Sequence, residues 1–86
     1  MTMFTVKVRV RYRNPMRHGI RGETTYRVVR QAKDASAAGS RAVADLENWF
    51  PTHFPYLEVS STVALSAKAT PAEKTELMEE DSVRPY

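Results

Sequence analysis

The chain has 86 residues, 42% hydrophobic and 27% charged, with a formal net charge of +3; this is globular usage, far from that of disordered chains, and at this length one modest core is all that can form. It contains no cysteine, which excludes disulfides and thiolate metal sites as sources of stability and makes a reducing cytoplasm the default location. The charge is uneven: residues 1–33 hold nine Lys/Arg against the single acid Glu23, whereas 34–69 carry a net −2 and 70–86 a net −3, so the amino-terminal third dominates the far field.

The first segment alternates. Phe4, Val6, Val8, Val10 and Tyr12 interleave with Lys7, Arg9, Arg11 and Arg13, the period of two of a half-buried strand over Phe4 to Arg13. The same alternation is unlike a signal peptide, and no run in the chain approaches the ~18 apolar residues of a membrane span, so neither secretion nor membrane insertion is expected. Asn14 and Pro15 stop the strand, and the stretch to Gly22 has the punctuation of a hairpin loop, long at nine residues. Gly19-Ile20-Arg21-Gly22 has the spacing of the Gly-x-x-Gly loop of KH domains. That loop joins two helices, whereas both flanks here read as strand, so the two glycines are assigned to a turn.

A second strand is predicted over Thr24 to Gln31, rich in β-branched and aromatic residues, with its inward face blurred by the Val28-Val29 pair. Asp34 or Ser36 then caps a helix carrying Ala35, Ala38, Ala42, Val43, Leu46, Trp49 and Phe50 at helical spacing, with Arg41, Asp45, Glu47 and Asn48 opposite and Pro51 as its end. Gly39 shares the apolar face and costs about 1 kcal/mol of propensity, which predicts a close approach of the first half of the helix to the sheet. Trp49 and Phe50 fill the wider far end, making Trp49→Ala one of the most damaging substitutions.

A third strand is predicted from Tyr56 to Ser66, with Leu57, Val59, Ser61, Val63 and Leu65 on one face and Glu58, Ser60 and Thr62 on the other. Thr70-Pro71-Ala72-Glu73 forms a capping box, so 71–80 is a candidate short helix inside an acidic tail. The fold class is therefore α+β. A single ββαβ domain over 1–69 carries an antiparallel sheet of order 2-1-3 with one main helix on one face, followed by the tail 70–86.

Catalysis is not expected. There is no Gly-rich phosphate loop, nucleophile elbow or triad spacing, and His18 and His53 lack further ligands at metal-binding spacing, so neither a metal nor another cofactor is implied. The clearest feature is the row Lys7, Arg9, Arg11, Arg13, spaced about 6.6 Å apart and about 20 Å long. Its mundane reading is that an uncovered sheet face needs charge for solubility; its functional reading is an electrostatic surface for nucleic acid or a nucleoprotein assembly, extended by Arg17, Arg21, Arg27 and Arg30. The exposed face of the first strand has no ring for base stacking, so such contacts would go to phosphates.

The alternative function is a protein-binding module or inhibitor, of the kind small proteins of phages and mobile elements provide, docking by an edge strand or by the basic face. Phe54, Tyr56, Val59 and Val63 are its candidate contacts. The third strand is uncharged from Val59 to Ala67 and lies at an edge in the 2-1-3 order, so a homodimer through it is a further expectation. The tail acids Glu73, Glu76, Glu79, Glu80 and Asp81 are read as a solvated tail, or as a segment competing for the basic face.

Overall fold

The computed structural model describes residues 2–70 and, for the backbone alone, 83–85. Strand β1 (Thr2–Asn14) and strand β2 (Ile20–Ala32) form an antiparallel hairpin in unbroken register from Thr2 opposite Ala32 to Asn14 opposite Ile20. Both are longer than their apolar patterns suggest, and the connection shrinks from the expected nine residues to Pro15–Gly19. It closes tightly because a 3-10 helix, Pro15–Arg17, follows Asn14, whose Oδ1 accepts from Met16 N at 3.0 Å. His18 and Gly19 then take left-handed backbone (φ 57° and 69°), and Gly19 N donates to Asn14 O. Gly22 serves a different purpose from the one expected. It lies in β2 opposite Tyr12, and a Cβ there would come within 2.7 Å of the Tyr12 hydroxyl oxygen, so only glycine leaves room for that ring.

Helix α1 (Ala35–His53) starts at Asp34, whose carboxylate accepts from Ala37 N at 2.8 Å. Ala38, Ala42, Leu46 and Phe50 repeat at every fourth position and are all buried, a single ridge laid on the sheet. Pro51 does not end the helix as expected; it sits inside the last turn, and Phe54 N still reaches Phe50 O at 2.8 Å. Ending the helix at Phe50 would loosen a ring that is 1% exposed, a greater cost than the restriction proline puts on its predecessor. Thr52 Oγ1 and His53 Nδ1 donate to the carbonyls of Asn48 and Trp49, which further holds this turn.

Strand β3 (Glu58–Ala69) pairs antiparallel with the free side of β1, and the short strand β4 (Val83–Pro85) pairs antiparallel with β2 around Arg27. The order is β3-β1-β2-β4, which contains the expected 2-1-3 sheet with the helix on one face. The fourth strand had no signal in the apolar pattern. The short helix expected over 71–80 lies outside the described residues.

Two register shifts overturn the face assignment of the third strand. Arg11 and Tyr12 face Ser61 and Val59, while Lys7 and Val8 face Ser66 and Ala64, so Ser60 and Leu65 are extra residues. Each extra residue reverses the alternation. Val59, Thr62 and Ala64 therefore share the face of Tyr12, Val10 and Val8, toward the helix, whereas Ser61 and Val63 turn away from it with Arg11 and Arg9.

The core lies between α1 and the even residues of the hairpin: Phe4, Val6, Val8, Val10, Tyr26 and Val28 against Ala38, Ala42, Leu46 and Phe50. Its wide end is a ring cluster. Phe50 meets Tyr12 and Phe54 at centroid distances of 5.7 and 4.9 Å, and Trp49 meets Tyr26 edge-on at 5.2 Å. Burial raises the Tyr26 phenol above its ordinary value. No helix among the described residues is long and apolar enough to cross a membrane.

Candidate functional site

The odd residues of the hairpin build the face turned away from α1, here called the outer face. Strand register decides which charges meet there. Arg9 lies opposite Thr25, Arg11 opposite Glu23, Lys7 opposite Arg27 and Arg13 opposite Arg21, while β3 adds Glu58, Ser61, Val63, Ser66 and Lys68. Strands β1, β2 and β3 thus place seven cations (Lys7, Arg9, Arg11, Arg13, Arg21, Arg27, Lys68) against two carboxylates (Glu23, Glu58), an excess of five positive charges. Two like-charged cross-strand pairs are locally unfavourable by a few tenths of a kcal/mol or more each.

The expected basic row is continuous in register but graded in exposure. Arg11 and Arg13 are exposed, while Lys7 and Arg9 are half-buried. Arg9 Nε is buried with no hydrogen-bond partner among the described residues, a cost of about 1–3 kcal/mol. Val29, also on this face, is fully buried, and Thr70 is buried with its hydroxyl 2.8 Å from that of Thr5. The outer face is thus closed at its Thr5 end and open at its Arg13 end.

Two of the four cations carry carboxylate partners that linear reading did not anticipate. Arg11 Nε lies 3.3 Å from Glu23 Oε2, and the Arg13 guanidinium donates twice to Glu58 Oε2. All four side chains are about half exposed, and exposed pairs of this kind are worth only about 0.2–1 kcal/mol. An anion arriving at the face can displace either carboxylate at little cost.

Shallow depressions mark two places where cations converge. One is lined by Arg11, Arg13, Arg21, Glu23, Ser60 and Ser61, the other by Thr5, Lys7, Arg27, Ser66 and Lys68. In each, three cationic side chains meet hydroxyl groups, the donor set that suits a phosphate oxygen cluster. They lie about 15–20 Å apart along β1, by strand rise.

Arg30 leaves the patch to which the sequence assigned it. As an even residue of β2 it faces the helix, is 4% exposed, and is held by Asp45 together with the carbonyl of Val29. Asp45 correspondingly reaches toward the sheet while its side chain stays 40% exposed. Arg41 adds a second tie by donating to Gln31 O at 2.9 Å. The other extensions are exposed: Arg21 and Arg27 belong to the outer face, and Arg17 sits in the turn beyond its open end.

The protein-contact candidates do not form one surface. Phe54 is half-buried between Phe50, Trp49 and Tyr56, and Tyr56 is 53% exposed beside it. Val59 and Val63 point to opposite faces of β3, yet both stay exposed because that strand is an edge. His53 stacks on Trp49 at 4.0 Å, and His18 occupies the turn. Among the described residues no three His, Cys, Asp or Glu side chains come together. Comparison with family models, with curated proteins and with solved structures finds no match.

Proposed function

We propose that this protein is a non-enzymatic binding module that contacts nucleic acid, alone or within a nucleoprotein assembly, through the phosphate backbone. The single observation that carries this reading is the excess of five positive charges that β1, β2 and β3 place on the outer face, with Arg11, Arg13, Arg21 and Arg27 at its exposed part. Solubility alone asks for charge of either sign on an uncovered sheet. It does not ask for Arg13 opposite Arg21, an arrangement that an anionic ligand would stabilise.

The outer face has no aromatic ring among its described residues, since Phe4, Tyr12 and Tyr26 point toward the helix. Base stacking and direct sequence readout are therefore not part of the proposal. If about four phosphates are neutralised, the logarithm of the duplex binding constant should fall with the logarithm of salt concentration with a slope of about −3.6.

Fluorescence anisotropy of a labelled 30-mer, single-stranded and duplex, titrated from ~50 mM salt upward tests this. The expected result is binding with a steep salt slope, weakened at least tenfold by the double substitution Arg11→Glu, Arg13→Glu. Absence of binding at the lowest salt, or a slope near zero, overturns it. A second reading, a partner protein gripping the basic face or the β3 edge, is favoured by the length of that edge, uncharged from Val59 to Ala67. Nuclease treatment of a lysate pull-down separates the two, because captured material that survives the nuclease supports the protein partner.

A further inference from the structure

The β3 edge carries an inference independent of what binds the outer face. In the order β3-β1-β2-β4, strand β3 is terminal over all twelve residues Glu58–Ala69, and no strand among the described residues pairs with its outward side. Edges of this length are ordinarily protected by charge or proline. This one has neither between Val59 and Ala67. Three of the six exposed large apolar side chains of the described residues, Val59 (38%), Val63 (42%) and Leu65 (42%), lie on it.

We infer that β3 pairs antiparallel with β3 of a second copy, around a two-fold axis at Val63. Self-complementarity of charge favours a second copy over an unrelated strand. β3 has only two charged residues, Glu58 and Lys68, placed five positions before and five after Val63. Antiparallel pairing of two identical strands about Val63 sets each Glu58 opposite the other copy's Lys68. The faces agree as well. Glu58 faces Arg13, Val63 faces Arg9 and Lys68 faces Thr5, so all three belong to the outer face.

The bulges fit the same symmetry. Single bulges bend an edge away from a straight partner. Here Ser60 and Leu65 stand almost evenly on either side of Val63, so a second copy running the other way brings nearly matching bends. Beside the edge, α1 and β3 enclose a groove lined on the helix by Ser36, Gly39, Ser40, Val43, Ala44 and Glu47 and on the strand by residues that include Leu65. It leaves room for the aliphatic side chain of the opposing strand.

A twelve-residue strand is about 40 Å long, and with the flank of α1 it offers a strip of roughly 600–800 Å² per copy, near the lower end of what specific dimers bury. Because the two-fold axis is normal to the sheet, both outer faces would lie on one side and both helices on the other.

Sedimentation of the full chain from about 1 to 500 μM tests the inference. The expected result is a concentration-dependent shift from 9.8 kDa to twice that mass. Glu58→Lys and Lys68→Glu should each weaken association at least fivefold, and the double variant should recover it; circular dichroism checks that each variant keeps its fold. Since the chain has no cysteine, Val63→Cys introduces a unique thiol, expected to give a disulfide-linked dimer on mild oxidation much faster than Ile20→Cys at the distant end of β2. A monomer at the highest concentration, equal cross-linking of the two variants, or no recovery in the double variant overturns the inference.

Discussion

The two faces of β1 share one backbone and differ in almost everything else. Its even residues Phe4, Val6, Val8 and Val10 are buried against α1, and their identities follow from the need to leave water. Its odd residues run from half-buried Thr5, Lys7 and Arg9 to exposed Arg11 and Arg13, and their surroundings are set by neighbouring strands. The lesson is that burial can be inferred along a strand, whereas charge pairing is decided across it. Period-two alternation identifies the faces; it does not say that Glu23 and Glu58 arrive beside Arg11 and Arg13.

The sharpest contrast lies in truncation. Phe50→Ala removes a ring that is 1% exposed and touches Tyr12, Tyr26 and Phe54, and should cost about 3–5 kcal/mol in urea denaturation. Trp49→Ala should cost less, because Trp49 is only partly buried at the corner; the sequence pattern alone ranked it among the most damaging. Arg11→Ala, on the exposed pair with Glu23, should change stability by less than about 1 kcal/mol. An Arg11→Ala effect comparable to that of Phe50→Ala would make the outer face a structural surface.

The next contrast sets one ion pair against another. Asp45→Ala removes one acceptor of Arg30, whose side chain is 5% exposed, and should destabilise the fold by about 1–3 kcal/mol, since a buried cation loses a charged hydrogen-bond acceptor. Glu58→Ala, at a half-exposed pair with Arg13, should cost no more than about 1 kcal/mol. Urea titrations at low and high salt sharpen the difference: the effect of Glu58→Ala should vanish with salt, while that of Asp45→Ala should persist.

What could be read from the sequence follows the same division. The alternation of β1 and the apolar face of α1 were legible because each is local and burial-driven, and the helix start was narrowed to Asp34 or Ser36, of which Asp34 is the cap. The 2-1-3 order was also legible, because the connection lengths impose it. Ser60 and Leu65 were not legible as extra residues, because nothing in a Ser/Thr/Val-rich strand distinguishes a bulged residue from a paired one. Strand β4 was missed because three residues, Val83–Pro85, are too few to show a period. Arg30 was misplaced because an arginine inside an apolar strand looks the same whether it faces water or a helix carboxylate. At the candidate site the row of cations was legible, and the carboxylates beside it were not.

The smallest expected effect concerns the approach of α1 to β3, where the sequence suggested that Gly39 is required by close packing. Gly39 is buried, yet a Cβ built on it would meet only the Ala64 Cβ, at 3.5 Å, an ordinary van der Waals distance. The backbone there is helical, so alanine adds no strain, and it removes the excess flexibility that glycine gives the unfolded chain. Gly39→Ala should therefore stabilise the protein by about 0.5–1 kcal/mol, read as a raised urea midpoint with an unchanged denaturant slope. Destabilisation instead would mean that helix and sheet pack more tightly at Ala64 than this spacing allows. It would also narrow the groove beside Leu65, so the same variant would weaken self-association through β3.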